Sequence, residues 1–490
     1  MENRLVKILP RHWGWSMLLL WGIAVFFLLR KDIYGVEEEA ARGLLLVWSV
    51  VDHVVSPVVA LGVPDFRAVF FIPVGVLWTG QVIPARVFTV FVMAAVAWGV
   101  YRWRQQDGDT EGALLATGLL LISPSIIDQI DKLAAAPYLL SSFVLGAWLD
   151  RRYRQGPRLF GGLYFAQVFL CLVSTTLHPA GLAYPAALAW SWYKWPPNRE
   201  QQKYFHTGIA LAVTVGLLLT FGWHAVDWFA NPVGSLASLV LGPSVIRGDL
   251  VGIGGAIGSG MLLVLVVVIW RQARILWEDF LGRSFLIGLV TGLPASDENW
   301  GIMALMIFLY WGFPLMLRSG GAPSSFVRQR GAALILLIII SIVFMSGDKL
   351  RYQQLRQGLF SPHDELIKTL VENVDALRQG NAQETRGTIR VASQWPGRTM
   401  LACRCDALPL PPPAKEERTL LEMLTGIDYL IFDPQDTDNQ SLVHNLAMLS
   451  GEATETIALQ EGGVIVQIRG RPYSKNASPP SNKQPAGFLQ

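Results

Sequence analysis

The sequence predicts a polytopic α-helical membrane domain followed by a small α/β domain, on three observations. Apolar residues make up 52% of the chain and charged residues only 16%, against about 25% charged in an ordinary soluble protein. The apolar residues come in blocks close to the roughly 20 residues a spanning helix needs, such as WGWSMLLLWGIAVFFLL at 13–29 and GAALILLIIISIVFMS at 331–346. After about residue 347 the blocks stop, and short strand and helix patterns alternate.

In order, the apolar runs fall near 13–30, 85–101, 112–127, 134–149, 159–175, 178–193, 205–223, 250–270, 281–293, 300–317 and 331–346, which makes about 11 transmembrane helices in a domain over 1–346. No small-residue cleavage site follows the first run, so it reads as a retained helix and not a signal peptide. Basic residues fall in every second connection. They are Arg4, Lys7 and Arg11, then Arg102 and Arg104, Arg151 to Arg158, Lys194 to Lys203, Arg271 and Arg274, and Arg318 to Arg330. The positive-inside rule then puts the N-terminus in the cytoplasm and the alternate connections outside.

The first outward connection, 31–84, is long. VEEEAARGLLLVWSVVDHVVSP is amphipathic at helical spacing, and DFRAVFFIPVGVLWTG is apolar but short and broken by Pro and Gly, so both suit interfacial helices. If 67–82 spanned, every later orientation would invert and the charge pattern would fail.

Beyond 347, SPHDELIKTLVENVDALRQG reads as an isolated helix, with Ser361 as N-cap, Pro362 at its first position and Gly380 as its stop. TIRVAS, TMLAC, DYLIFD, TIAL and GVIVQI read as strands, with EERTLLEML and QSLVHNLAML as helices between them. Together they form an extracytoplasmic α/β domain over 347–471, and the tail 472–490 is too poor in apolar residues to fold. Cys403 and Cys405 are too few for a disulfide framework. They read as two incidental thiols or one structural link, with metal chelation or reactivity the alternative.

Several stretches form an ordered series. GQVIPARVFTVFVMAAVAWGVYRWR at 80–104 opens a helix with Ala85-Arg86 and closes it with basic residues; ALLATGLLLISPSIIDQIDKLAAAPYLLSSFVLGAWLDRRYR at 113–154 is a hairpin with Ser-Pro at its outer turn. TTLHPAGLAYPAALAW at 175–190 and Trp223 of FGWHAVDWF follow. With the long first outer loop and the C-terminal α/β domain, the series resembles a bacterial member of the GT-C superfamily. These are membrane glycosyltransferases that include protein O-mannosyltransferases and the aminoarabinose transferase of lipid A. The resemblance implies a sugar donor on a polyprenyl phosphate, a lipid, glycan or protein acceptor, and transfer that inverts the anomeric carbon. It also implies an acidic residue of the first outer loop as base, and Asp32 is nearest that position. By the same resemblance Glu39 and Arg42 match a Glu-x-Ala-Arg register. Asp65 stands at the second acidic position with Arg67 after it, and His178 stands where lysine is usual.

Transfer from a lipid phosphate needs a carboxylate to take the acceptor's proton and cations where charge develops on the departing phosphate. The catalytic candidates are Asp32, Asp65 and Glu39; the substrate-binding candidates are Arg42, Arg67, Arg86, Lys132, His178 and His224. Each has a plainer reading. Glu37 to Glu39 are also the solvated first turn of a helix, where acids are favoured. Asp32 beside Arg30 and Lys31 is also an interface anchor, and Asp65 a helix N-terminal acid. Arg86 is equally a snorkelling residue, and His178 a satisfied polar residue on an apolar helix. Asp131–Lys132 and His224–Asp227 are also ion pairs. Asp297 and Glu298 in LPASDENWG form a further acidic outer loop where a divalent cation or acceptor would fit, and no other cofactor is indicated.

The implied setting is a bacterial plasma membrane, with the α/β domain periplasmic, lipids as neighbours and no nucleic acid as partner. The rival readings are a catalytically silent scaffold of an envelope-assembly complex, a flippase or transporter, and an envelope-sugar polymerase or ligase. The chain has no inverted internal repeat and few ionisable residues in mid-helix, both of which count against a coupled carrier.

Overall fold

The computed structural model describes residues 16–51, 67–106, 110–155, 160–194, 206–215, 236, 251–293, 298–312, 338, 340–349, 352–353, 361–380, 389–412, 414, 417–436, 439–447, 454–460 and 463–468. Contacts divide the chain into two units. One takes Met1–Leu29, Asp65–Arg67 and Pro84–Arg356; the other takes Arg30–Pro64, Ala68–Ile83 and Gln357–Gln490. The predicted tail 472–490 lies outside the described residues.

Up to residue 194 the helices are α1 (Ser16–Leu28), α2 (Glu38–Val51), α3 (Arg67–Leu77), α4 (Ile83–Gln106), α5 (Thr110–Leu121), α6 (Pro124–Lys132), α7 (Ala135–Gln155), α8 (Phe160–Leu177) and α9 (Ala183–Lys194). Then come α10 (His206–Val215), α11 (Val251–Glu278), α12 (Phe280–Thr291) and α13 (Glu298–Ile307). Among the described residues two helices are long and apolar enough to cross a membrane alone, Ile83–Gln106 and Gly258–Glu278; a bent pair, Gly112–Leu121 with Pro124–Lys132, would make a third. Six further described stretches, among them Ser16–Leu28, Gly162–Leu177 and Phe280–Thr291, are shorter apolar helices, and bulky side chains such as Trp270 of α11, Tyr193 of α9 and Phe165 of α8 are exposed.

The bend of 53° between α5 and α6 has a local cause. Pro124 brings no N–H to the helix and pushes Ser123 into extended backbone, φ −71° and ψ 125°. Several polar groups of this first unit pair across helices, as apolar surroundings favour. Trp21 Nε1 donates to the Leu121 carbonyl at 2.6 Å, and the hydroxyls of Thr89 and Tyr138, and of Thr117 and Tyr310, meet at 2.6 and 2.7 Å. Phe285 packs edge-on to Trp311 and tilted against Phe143, with ring centroids 5.8 and 5.9 Å apart.

In the second unit α14 (Pro362–Gly380) precedes β1 (Arg390–Ser393), α15 (Pro396–Cys403), β2 (Asp406–Pro409), α16 (Glu417–Met423), β3 (Tyr429–Phe432), α17 (Gln440–Ala447), β4 (Thr454–Gln460) and β5 (Gly463–Ile468). The sheet runs β2-β1-β3-β5-β4, with β1 parallel to β2 and β3, and β5 antiparallel to β3 and β4. Strand residues alternate between faces. Val391, Tyr429, Ile431 and Ile465 pack with Leu366, Ile367, Leu370 and Val374 of α14. Ala392, Leu430, Phe432, Val464 and Val466 pack with Leu420, Leu424 and Leu442 of α16 and α17. Both faces are covered, which is why the central strands are continuous apolar runs.

One predicted strand is a helix: TMLAC lies in α15. Pro396 starts that helix, and Arg404 stops it in left-handed conformation at φ 50°. DALP, unremarked in the sequence, pairs as β2. Cys403 and Cys405 are joined in a disulfide with Cα atoms 5.3 Å apart, so they form the structural link.

Gly181 sits in the 3₁₀ turn Pro179–Leu182, and a Cβ there would lie 1.7 Å from the Ser174 carbonyl oxygen. Gly181→Ala therefore forces backbone apart and is expected to cost about 3 kcal/mol. Thermal unfolding of the purified protein should show a clearly lower midpoint; an unchanged midpoint contradicts this packing.

Candidate functional site

After α1 the chain makes a turn encoded by its own residues. Asp32 Oδ1 accepts the backbone N–H of Tyr34 at 3.0 Å, an Asx turn. Gly35 follows at φ +75°, where a Cβ would also come 3.0 Å from the Arg30 guanidinium. Asp32 itself stays partly exposed.

The turn is tied to α14 through one carboxylate. Gly35 N–H donates to Asp364 Oδ1 at 3.2 Å, and Arg30 Nη1 lies 3.7 Å from Asp364 Oδ2. Arg398 Nη2 donates to Oδ1 at 2.5 Å and Ser361 Oγ to Oδ2 at 2.6 Å, while the Asp364 N–H returns a bond to Ser361 Oγ. The last two make a capping box with an aspartate in the usual Glu position. Asp364 is buried. Burial alone would raise its pKa, but the Arg398 charge and the hydrogen bonds from Ser361, Arg398 and Gly35 outweigh it and hold the carboxyl below its ordinary value.

The glutamates of the loop divide their work. Glu38 Oε1 and Oε2 accept the N–H groups of Gly397 and Arg398, at 2.7 and 3.0 Å, so one side chain caps the free amides at the start of α15. Arg42 Nε donates to Glu38 Oε1 at 2.8 Å, and Arg42 Nη1 lies 3.4 Å from Glu39 Oε1.

In the first unit three of the predicted cations gather at the C-terminal end of α6. Arg86, fully buried, donates from Nε to the Asp131 carbonyl at 2.8 Å and lies 3.3 Å from the Asp131 carboxylate. Arg67 Nη1 donates to the Leu133 carbonyl at 3.2 Å, and Lys132 Nζ lies 2.7 Å from Asp128 Oδ2. Positive charge suits a helix C-terminus, where carbonyls lack partners. His178 stands apart. Its Nδ1 accepts the Ala180 N–H at 3.1 Å and starts the 3₁₀ turn.

Asp32, Glu39 and Arg42 thus lie along one stretch of the second unit, and Arg67, Arg86 and Lys132 cluster in the first. Asp65 and His224 lie outside the described residues. Among the described residues no group of three or more His, Cys, Asp or Glu gathers to hold a metal ion. The sequence did not single out Asp364, Arg398 or the capping role of Glu38. The Ser-Pro-His-Asp start of α14 was legible as a cap, but nothing local announces that its aspartate also holds Gly35.

No protein-family model and no curated protein matches the chain. Solved structures do. The oligosaccharyltransferase of Archaeoglobus fulgidus in its apo form aligns at a TM-score of 0.50 with 11% identity, covering 87% of this chain and 70% of that one. The chain has a GT-C fold. An archaeal oligosaccharyltransferase AglB from the same organism, in complex with an inhibitory peptide and a dolichol-phosphate, aligns at 0.49 with 10% identity over 87% and 70% of the two chains. The form with Zn and sulfate aligns at 0.46 with 11% identity over 85% and 68%. At 11% identity, what this chain shares with the apo form is the fold.

Tyr34, between Asp32 and Gly35, reports on the turn. Burial, and then the charges of Asp32, Glu372, Asp364 and Asp375, push its phenol from an ordinary value of 10.0 up to about 12. The folded state therefore holds this proton more tightly than the unfolded one. The resulting stability is fully present below pH 10 and is lost as pH rises towards 12. In a ¹³C-tyrosine NMR titration the resonance absent from Tyr34→Phe should titrate late, and Asp32→Asn should bring its midpoint down. A Tyr34 resonance titrating at the ordinary value contradicts the turn.

Proposed function

We propose that the chain is a glycosyltransferase on the outer face of a bacterial plasma membrane. It moves a sugar from a polyprenyl-phosphate donor to an envelope lipid, glycan or protein acceptor, with inversion at the anomeric carbon. The observation that carries this reading is the fold shared with an oligosaccharyltransferase over 87% of the chain. Asp32, a partly exposed carboxylate held in a defined turn directly after α1, supplies the chemistry. As general base it takes the acceptor's proton while the new bond to the anomeric carbon forms and the bond to phosphate breaks.

The remaining candidates take separate roles. Lys132, its side chain 34% exposed, is the cation for the charge that develops on the departing phosphate, and His178, whose Nδ1 already accepts the Ala180 N–H, offers its other ring nitrogen as a donor. His224 and Asp65 keep their sequence-based roles as a further cation and second acid. Arg67 and Arg86 are buried and already hold carbonyls, so they build α6 and its surroundings. Glu39 and Arg42 likewise serve the start of α2. The Cys403–Cys405 disulfide supports placing the second unit outside, because such bonds persist in oxidising compartments.

A second reading, a silent scaffold in an envelope complex, is favoured by the engagement of Arg42, Arg67 and Arg86 with protein acceptors. The two readings part on one assay. Purified protein with a radiolabelled polyprenyl-phosphate sugar and envelope acceptors should transfer label, and Asp32→Asn should lower that transfer about 10²–10⁴-fold. Undiminished transfer by Asp32→Asn removes Asp32 as base, and no transfer by the wild type supports the scaffold.

A further inference from the structure

Asp32 accepts the Tyr34 N–H two residues on. The turn is also held on either side of it. Arg30, two residues before, and Gly35, three residues after, both reach Asp364, at 3.7 and 3.2 Å. The two ends of the Asp32 turn are therefore gathered by a single carboxylate, 329 residues beyond Gly35.

That carboxylate is itself held on its far side. Arg398 reaches Oδ1 at 2.5 Å and Ser361 reaches Oδ2 at 2.6 Å, and only 4% of the Asp364 side chain is exposed. Arg398 lies at the start of α15, whose first amides are occupied by Glu38 of α2. The stretch from Arg30 to Glu38 is thus fastened at both ends by the short segment 397–398 and the first turn of α14. At Gly35, φ +75°, the chain needs a residue without a Cβ, and a Cβ there would come 3.0 Å from the Arg30 guanidinium.

We propose that Asp364, with Arg398 behind it, is a positioning residue of the transfer reaction: it latches the Arg30–Gly35 turn so that the Asp32 carboxylate is presented in one fixed orientation. The inference rests on the reading of Asp32 as base, and it gives the C-terminal α/β residues a task in catalysis. A base must stand within about 3 Å of the proton it removes, and a misplacement of about 1 Å costs on the order of 10²-fold in rate. Loosening the turn therefore lowers turnover while leaving donor binding intact.

The test uses the full chain in detergent or nanodiscs. Asp364→Asn should lower kcat for sugar transfer at least about 10-fold with the donor KM within about 2-fold, the split expected when orientation alone is lost. It should also speed tryptic cleavage after Arg30 and Lys31 in protein that remains folded. Arg30→Gln removes the loop's own half of the latch, and it decides the matter if Asp364→Asn fails to fold. Arg398→Lys, which keeps a cation beside Asp364, should recover part of the activity lost in Arg398→Ala. Asp375→Asn, on an exposed part of the same helix with its side chain 52% exposed, should match the wild type. Wild-type kcat with wild-type cleavage in folded Asp364→Asn, or wild-type kcat with a wild-type rate of cleavage after Lys31 in Arg30→Gln, overturns the latch. So does a change confined to KM. If Asp32→Asn retains activity, the base reading fails instead, and the cleavage rates still decide whether Asp364 holds the turn.

Discussion

The arrangement of the second unit depends on one buried carboxylate, Asp364, and the donors that converge on it. An ionised group removed from water costs several kcal/mol unless its lone pairs are satisfied. Here Arg398, Ser361, Gly35 and Arg30 supply the donors and the charge. Those donors come from three separate stretches of chain, so the carboxylate is stable only when all three are assembled. Closing the gap of 329 residues between Gly35 and Asp364 carries a length-dependent entropic cost of about 5 kcal/mol. One hydrogen bond returns about 1 kcal/mol and does not offset it. The two-sided apolar core of the sheet does, since each fully buried side chain such as Leu366, Leu370 or Ile431 contributes about 1.5–3 kcal/mol. Polar groups therefore choose the arrangement, and apolar burial stabilises it.

The first unit meets the same requirement differently. The break at Ser123-Pro124 leaves α6 a short helix whose C-terminal carbonyls have no continuing helix to satisfy them. Arg86 and Arg67 fill that need from other parts of the unit. Removing either would strand acceptors in an apolar interior, which is why both are buried, although the sequence alone left Arg67 as a substrate ligand and Arg86 as equally a substrate ligand or a snorkelling side chain.

Much of this was legible in the sequence, and the limits have physical reasons. The membrane character, the cap at Ser361 and the strands DYLIFD and GVIVQI rest on local composition and periodicity, which a single sequence displays. TMLAC misled because its residues suit either state. Pro396 and the capping carboxylate of Glu38 decide for helix, and Glu38 is 359 residues before Gly397. DALP was not read as a strand, and a proline in a short stretch does argue against one. It is tolerated at Pro409, the last residue of a strand at the sheet's edge. In the candidate site the sequence singled out Asp32, but its Asx turn, and the division of the glutamate run into a cap and an arginine partner, depend on where distant chain returns.

A GT-C fold whose first loop is bound into its C-terminal α/β residues gives that loop a fixed conformation before any substrate arrives, the preorganisation on which catalysis by position depends. The claim is tested most directly by amide hydrogen exchange at Gly397 and Arg398 in the full chain. If Glu38 caps α15 as described, these two amides exchange slowly and open only together with the β1 and β3 amides. If they exchange at the rate of unprotected amides while β1 and β3 stay protected, the first loop is not part of the second unit's fold and the account fails.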